Sequence, residues 1–341
     1  MSLTKRGRKI RDAAVFSALS AVLIALAFVS LWRGNSSANV GFGEMIAGIF
    51  TGKNGTVNLF MHSRGPRTAA AMLGGACFAL SGLMLQSATG SRLAEASVTG
   101  MASSTYLGHF LYATVMPASA AALAFSPLAA CVVGGAVTAG VVFLSWKSGL
   151  RTNRMLLVGG AVNCMAIMII LTVYLTSGTN ASAGLNALVG NLGNQITGED
   201  LIGMAACALA GTGACVFVSP TCNVLALGDK TASGLGVNVT RARFALIALS
   251  LFLCSAATFK LGLTSFVGLL CPLVSRKIFG TDHRRLVPAC ALTGALLVLG
   301  CDMLCRLMST VVAVPVGIIT TVAGGTVFLV LLGRSFSGGD K

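Results

Sequence analysis

Residues 64–86 read RGPRTAAAMLGGACFALSGLMLQ, and this stretch decides the fold class of the chain. After Arg67 it contains no charged residue. It is also long enough to cross a membrane, because about 20 apolar residues in a helix span a hydrocarbon core of about 30 Å. The stretch nevertheless opens on two arginines, Arg64 and Arg67, and their purpose is not obvious from the apolar run that follows.

The composition of the whole chain agrees with a membrane location. Of its 341 residues 55% are hydrophobic and only 10% are charged, which is outside the range of soluble domains. The long apolar runs lack the strict alternation of an outer-membrane strand and hold few prolines. We therefore expect an all-α integral membrane protein, a bundle of about ten transmembrane helices.

Apolar windows between charged or polar breaks predict ten spans. They lie near 13–32, 66–88, 97–116, 121–145, 154–176, 200–219, 241–262, 264–279, 287–306 and 315–333. The run at 264–279 is the shortest and contains Pro272. The first run lacks a convincing small-residue cleavage site, so we interpret it as a retained span and not a signal peptide.

The domain organisation follows from these spans and from the charges between them. A basic cytoplasmic segment at 1–12 precedes a single transmembrane domain at 13–333, and a cytoplasmic tail occupies 334–341. With both termini inside, 18 of the 24 Lys and Arg residues fall on the cytoplasmic side. The six on the outer side are Arg33, Lys53, Arg64, Arg67, Lys260 and Arg306.

Two of these outer cations precede the amino-terminal end of a helix, where the helix dipole disfavours positive charge. Local helix physics therefore gives no reason for Arg64 and Arg67. One alternative is that both side chains reach outward to lipid phosphates. A further charge pair is expected within a span, because Asp302 and Arg306 are four residues apart and can form an ion pair on one helix face.

The sequence gives little sign of catalysis or of a cofactor. It contains no phosphate-loop motif for nucleotide hydrolysis, no legible Ser/His/Asp or Cys/His arrangement, and no Cys or His residues at metal-ligand spacing. Its eleven cysteines lie mostly within apolar runs, where we interpret them as packing residues. We expect a protein that is not an enzyme, holds no metal and binds no nucleic acid.

A long segment at 220–240, between the sixth and seventh spans, is predicted to lie in the cytoplasm. Its Leu227 and Leu235 are more apolar than a solvated loop requires, and Gly228 and Gly236 break the chain. This pattern predicts short helices that lie against another protein. The alternative is that the segment folds back on the bundle.

Six motifs together resemble the permease subunits of the iron-chelate and cobalamin class of ATP-driven importers, the FecCD or type II importer family. Beyond the stretch at 64–86, they are LLVGGAVN (156–163), LALGDKTASGLGVNVTRAR (225–243), SFVGLLCPLVSRKIFGTDHRRLVP (265–288), CDMLCR (301–306) and VPVGIITTVAGGTVFLVLL (314–332). They occur in family order and extend over most of the chain.

The resemblance implies the assembly in which the chain works. Two permease subunits, identical or related, form one pathway in a bacterial-type cytoplasmic membrane. Two cytoplasmic ATPase subunits bind ATP and Mg, and an extracytoplasmic binding protein delivers a metal chelate: a ferric siderophore, haem or a corrinoid. The chain itself is expected to bind no cofactor.

The resemblance also implies roles for individual residues. Arg64, Arg67 and Arg306 match positions that meet acidic residues of the binding protein. Residues that match the family's ATPase-coupling segment are Leu227, Gly228, Asp229, Ala232, Leu235 and Gly236. The loop at 281–285 is a second candidate for that contact. His109 and Asn163, in the third and fifth spans, are candidates for the translocation path, although a neutral, hydrogen-bonded role also fits His109.

Two departures from the family pattern affect the inner gate. The family's Asn-Pro-Leu-Ala stretch is replaced by SRLAEASVTG at 91–100, and its Pro-His by Pro272 and Leu273. The main functional alternative is a self-sufficient ion- or proton-coupled carrier for a small solute. A shortage of acidic residues in the spans and the apolar cytoplasmic segment both favour the importer.

Overall fold

The computed structural model describes residues 5–32, 64–115, 120–146, 152–176, 188–190, 192, 196, 198–308 and 315–337. Within these ranges the chain forms eleven α-helices and no β-strand. The helices are α1 (Lys5–Trp32), α2 (Gly65–Thr89), α3 (Met101–Val115), α4 (Ala120–Trp146), α5 (Thr152–Thr176), α6 (Gly198–Leu225), α7 (Asp229–Gly234), α8 (Val239–Leu261), α9 (Val267–Phe279), α10 (His283–Met308) and α11 (Val316–Ser337).

Each predicted span coincides with one helix, and α7 is an additional short helix. Six helices of the described chain are long and apolar enough to cross a membrane: Ile10–Trp32, Gly65–Thr89, Leu157–Thr176, Asp200–Leu225, Val239–Leu261 and His283–Met308. Shorter apolar helices lie at Cys131–Leu144 and Val316–Val330. The membrane-spanning helical fold class is therefore confirmed.

Several helix boundaries differ from the sequence prediction, and three of them bear on the segments described above. The basic segment predicted at 1–12 is not separate from the first span, because α1 already begins at Lys5. Helix α6 runs through Pro220 to Leu225, so part of the segment at 220–240 is helix. Helix α9 has only 13 residues, because the chain turns at Phe266, whose φ of 68° is incompatible with a right-handed helix.

Helix α2, which carries the opening stretch, is the centre of the bundle. In its apolar window 78% of the residues are buried inside the chain, against 11% for α1 and 22% for α6. It packs against α6, α8, α9 and α10. The two closest approaches pair glycines, Gly75 with Gly294 of α10 and Gly82 with Gly268 of α9, because any side chain there would meet opposing backbone atoms.

Buried hydroxyl groups reinforce the contacts of α2. Ser81 Oγ donates to the carbonyl oxygen of Ser250 on α8, and Ser250 Oγ donates back to the carbonyl oxygen of Ser81, both at 2.8 Å. Near the start of α2, Ser30 and Thr68 share a hydrogen bond of 2.9 Å that joins α1 to α2. These pairs satisfy buried polar atoms that would otherwise destabilise the bundle.

Candidate functional site

The side chain of Asp302 lies at the centre of a charged cluster at the end of the bundle where α2 begins and α10 ends. Its carboxylate is 0% exposed. Oδ1 accepts hydrogen bonds from Nε and Nη2 of Arg67 at 3.0 and 2.7 Å, and Oδ2 accepts one from Nε of Arg306 at 2.8 Å. One carboxylate therefore holds two guanidinium groups, Arg67 through Oδ1 and Arg306 through Oδ2, by charge-assisted hydrogen bonds.

The other polar contacts of this cluster close the end of α1. Nη1 of Arg64 donates to the carbonyl oxygens of Leu31 and Trp32 at 3.2 and 3.1 Å, and Nη1 of Arg306 donates to that of Ser30 at 3.1 Å. Carbonyl groups in the last turn of a helix have no partner within it, and the negative end of the dipole attracts cations. Arg64, which precedes α2, therefore has a structural role: it caps the carboxyl-terminal end of α1.

The three arginines predicted to dock a binding protein differ in exposure. Arg64 and Arg306 are 5% and 8% exposed, whereas 27% of the Arg67 side chain is exposed. Burial lowers the pKa of Arg64, although a guanidinium group remains charged at any physiological pH. The cluster holds three cations and one anion, so it presents a net positive charge at this end of the bundle.

The predicted coupling segment lies at the opposite end of the bundle. Helix α7 is fixed to it by Ala232, which is fully buried, and by Asp229, whose two carboxylate oxygens accept from Nη2 of Arg243 at 2.9 and 3.1 Å. Leu227 and Leu235, on either side of α7, are both 62% exposed. The segment therefore rests on the bundle through one face and exposes two leucines outward.

Glycines shape both ends of this segment. Gly228 and Gly236 have φ values of 100° and 83°, which residues with a side chain rarely adopt. They explain the two breaks that the sequence predicted at these positions, and they place Leu227 and Leu235 just outside the helix.

The loop at 281–285 is hydrogen-bonded to neighbouring helices. Asn223 Nδ2 of α6 donates to Oδ1 of Asp282 at 2.8 Å, and the backbone N–H of Arg284 donates to the same oxygen at 3.1 Å. The hydrogen bond from Asn223 is the largest cause that lowers the pKa of Asp282, and the hydrogen bond from the backbone of Arg284 lowers it further. The ring of His283 lies 2.9 Å from Ser87 Oγ, so this loop also contacts α2.

The two path candidates lie at different depths. Asn163 of α5 lies beside Gly100, which directly precedes α3. His109 is nine residues further along, about 14 Å at the helical rise per residue, and its ring packs edge-on against Phe259 of α8 with centroids 4.8 Å apart. The structure therefore places them on neighbouring helices without bringing them into one site.

Glu95 is a buried acid that the sequence analysis did not single out. It is 3% exposed, and its Oε2 has no hydrogen-bond partner among the described residues. Burial raises the pKa of Glu95 to about 7, although hydrogen bonds from Ser97 and from the backbone at Gly268 and Phe266 act in the opposite direction. The sequence contained one sign of this buried acid. Glu95 is a single acid beside a stretch of small and apolar residues, since ASVTG follows it directly.

No metal-binding cluster of three or more His, Cys, Asp or Glu residues occurs in the described ranges. The charged groups instead lie at the two ends of a bundle whose middle is apolar. This arrangement, with a cationic cluster at one end and an exposed apolar segment at the other, is that of a multi-pass membrane protein with a distinct contact surface at each end of the bundle.

Comparison with known proteins identifies the family. The model of the FecCD transport family matches residues 22–334, and the chain belongs to this family. It is 30% identical over 321 residues to the "Probable heme-iron transport system permease protein IsdF" of Staphylococcus aureus (strain MSSA476), covering 94% of this chain and 96% of that protein. It is also 30% identical over 273 residues to the "Fe(3+)-citrate import system permease protein YfmD" of Bacillus subtilis (strain 168), covering 78% of each.

Solved structures support the fold. A metal-chelate type ABC transporter in an inward-facing conformation superposes with a TM-score of 0.78 at 24% identity, covering 94% of this chain and 99% of that one. PsaBC from Streptococcus pneumoniae matches with a TM-score of 0.54 at 13% identity, covering 85% of this chain and 95% of that one. The chain is thus a multi-pass inner-membrane permease subunit of an ABC importer, and a self-sufficient carrier is not favoured.

Proposed function

We propose that the chain is one of two permease subunits through which an ATP-driven importer moves an iron chelate into the cytoplasm. The names of the two relatives, one a haem-iron and one a Fe(3+)-citrate system, support an iron chelate as cargo. A ferric siderophore or a corrinoid is the other cargo that the family motifs imply. Both chain termini are proposed to lie in the cytoplasm, and the second subunit is a copy of this chain or a relative.

The observation that carries this proposal is the exposure of Leu227 and Leu235 around α7, which is itself fixed to the bundle by Ala232. Large apolar side chains that project beyond a membrane bundle on a rigid segment are suited to a cleft in a partner protein. We assign this partner as the ATPase subunit, which would bind ATP and Mg. The glycines at 228 and 236 and the Asp229–Arg243 pair hold the segment in place for that contact.

At the opposite end the arginine cluster is proposed to receive the binding protein. Arg67 is the most exposed of the three arginines, so we assign it the direct contact with an acidic side chain. Arg64 and Arg306 contribute positive potential and hold α1 in place. Such a field steers an acidic partner and fixes its orientation more than it increases the final affinity.

Transport would follow from a rigid-body motion of the two permease subunits. Closure of the ATPase pair moves the coupling segments, and the motion passes to helices packed tightly around α2. His109 and Asn163 remain proposed path residues. Their different depths suit successive positions along a path better than one binding site.

Reconstitution into proteoliposomes tests the importer proposal. The chain is purified with the ATPase that accompanies it, and uptake of haem and of Fe(3+)-citrate is measured with the binding protein outside and ATP inside. We expect uptake that requires ATP and survives collapse of ion gradients by ionophores. Uptake that needs no ATP and disappears with the gradients would overturn the proposal in favour of a secondary carrier.

A leucine pair tests the coupling contact. The double variant Leu227→Ala and Leu235→Ala should lose most ATP-driven uptake and ATPase co-purification, while the bundle remains folded. Leu209→Ala is the matched control, because Leu209 of α6 is 74% exposed but lies within a span. Equal effects in the two variants would contradict a specific role for the α7 segment.

A further inference from the structure

A second charged site lies at the α7 end of the bundle, separate from the arginine cluster around Asp302. A cavity of about 470 Å³ opens between the last turns of α2, α6 and α9 and the beginnings of α7 and α10. Ligand pockets in proteins commonly have volumes of this size. This cavity is therefore large enough for a small anion together with part of a larger group attached to it.

The lining of the cavity is strongly basic. Among the described residues that line it are three arginines, Arg92, Arg243 and Arg276, and one acid, Asp229. Concave surfaces with a single sign of charge concentrate the electric field and attract counterions. The cavity therefore favours an anionic ligand.

The internal contacts of these arginines leave positive charge unbalanced. Arg243 forms an ion pair with Asp229. Arg276 donates from Nη1 to the neutral amide oxygen of Gln86, which supplies a hydrogen bond but no charge. Arg92 is exposed at the mouth, and no ion pair joins it to another described residue. Two guanidinium groups thus face the cavity without a carboxylate from the described chain.

The histidine of the cavity does not add a further acceptor for these arginines. The ring nitrogens of His283 lie 2.8 Å from Oδ1 of Asn223 and 2.9 Å from Oγ of Ser87, so both are already engaged. The positive charge of Arg92 and Arg276 therefore stays available to a ligand.

We infer that this cavity binds a phosphate group, carried either by an anionic phospholipid headgroup or by a free phosphate. Guanidinium groups match the oxygen geometry of phosphate and bind it through paired N–H donors. The cavity also lies where several membrane helices end, and basic pockets between helix ends on the cytoplasmic side are suited to lipid headgroups. The inference concerns binding by the permease alone and does not depend on the proposed cargo.

The test measures binding to the full chain in lipid nanodiscs. One arm titrates inorganic phosphate by calorimetry into phosphatidylcholine nanodiscs. The other measures, by native mass spectrometry, how much phosphatidylglycerol stays bound when the chain is released from mixed nanodiscs. The variants are Arg92→Gln and Arg276→Gln, and the matched control is Lys277→Gln, an exposed cation adjacent to Arg276 that does not line the cavity.

We expect each cavity variant to weaken binding about tenfold, since a hydrogen bond to a charged group is lost, and the control to retain it. Loss confined to the phosphatidylglycerol arm identifies a lipid headgroup, and loss in the calorimetric arm identifies free phosphate. Arg92 is exposed and easily replaced, so Arg92→Gln remains informative if Arg276→Gln fails to fold. Binding in neither arm, or equal loss in the Lys277→Gln control, would overturn the inference.

Discussion

Arg67 and Asp302 are 235 positions apart in the sequence, yet Nη2 of Arg67 lies 2.7 Å from Oδ1 of Asp302. This contact joins the first turn of α2 to the last turns of α10, and Arg306 completes it from the same helix as Asp302. Arg67, the most exposed of the three arginines proposed to dock the binding protein, is therefore held by a fully buried carboxylate. Asp302 positions Arg67 at the surface while neutralising part of its charge.

The first prediction concerns that carboxylate. Asp302→Asn should lower the free energy of unfolding by about 3 kcal/mol or more, because it leaves two guanidinium groups without their anion in a desolvated position. The control is Asp229→Asn, since Asp229 pairs with Arg243 at 2.9 Å but its side chain is 55% exposed. The control should cost about 1 kcal/mol or less. Thermal unfolding in nanodiscs measures both, and equal losses would contradict the positioning role of Asp302.

The second prediction separates the roles of two arginines. Arg67→Gln should mainly reduce stimulation of ATP hydrolysis by the binding protein and its dependence on salt, and its loss of stability should be smaller than that of Asp302→Asn because Arg306 still pairs with the buried carboxylate. Arg64→Gln should instead lower the melting temperature, because the carbonyl groups of Leu31 and Trp32 lose their donor. Stimulation assays at several salt concentrations, paired with thermal melts, distinguish the two outcomes. Unchanged stimulation and salt dependence in Arg67→Gln would show that Arg67, like Arg64, is mainly structural.

The third prediction concerns the close approach of α2 and α9. A Cβ added at Gly82 would collide with the backbone of Gly268, so Gly82→Ala should force the helices apart and strongly lower stability and expression. Gly213→Ala on α6 is the matched control, because nothing lies within 4 Å of the added atom. It should be neutral or slightly stabilising, since alanine favours helix over glycine. A Gly82→Ala variant with wild-type stability would mean that the two helices are less tightly packed.

The fourth prediction is a pH dependence of stability that arises from Glu95. Burial raises the pKa of Glu95 in the folded chain from its ordinary value of 4.5 to about 7. The folded state therefore binds a proton at Glu95 more tightly than the unfolded state does, and the contribution of Glu95 to stability should fall as the pH rises from about 4.5 through about 7. The thiols of Cys254 and Cys271 interact electrostatically with Glu95, and the ordinary pKa of a thiol, about 8.5, lies above this range.

Melting temperatures across that pH range measure the effect. Glu95→Gln cannot ionise and should remove this contribution, so the variant should gain stability relative to the wild type as the pH rises, by at most a few kcal/mol over the range. Asp229→Asn is the control, because the Asp229 side chain is 55% exposed, and it should leave the slope in place. A slope unchanged in Glu95→Gln would assign the pH dependence to another group.

Part of the candidate site was predictable because it is local in sequence. Asp302 and Arg306 are one helical turn apart, and the structure places them in contact as an ion pair. Leu227 and Leu235 were recognisable as too apolar for a solvated segment, and the structure shows them exposed, whereas Leu225 of the same segment is 9% exposed and belongs to the core. Hydropathy alone could not separate the exposed leucines from the buried one, because exposure depends on what packs against each side chain.

By itself the sequence determined the helical membrane fold, the helices at the ten predicted spans, the presence of short helix within 220–240, and the family. These follow from the length and composition of apolar runs and from local motifs, which are properties of neighbouring residues. Only the tertiary structure decided that Arg64 closes the end of α1, that Arg67 pairs with Asp302, and that α9 is too short to cross the membrane unaided. Those features depend on which helices pack together. Packing brings into contact residues that are far apart in the sequence, and no periodicity of the sequence relates them.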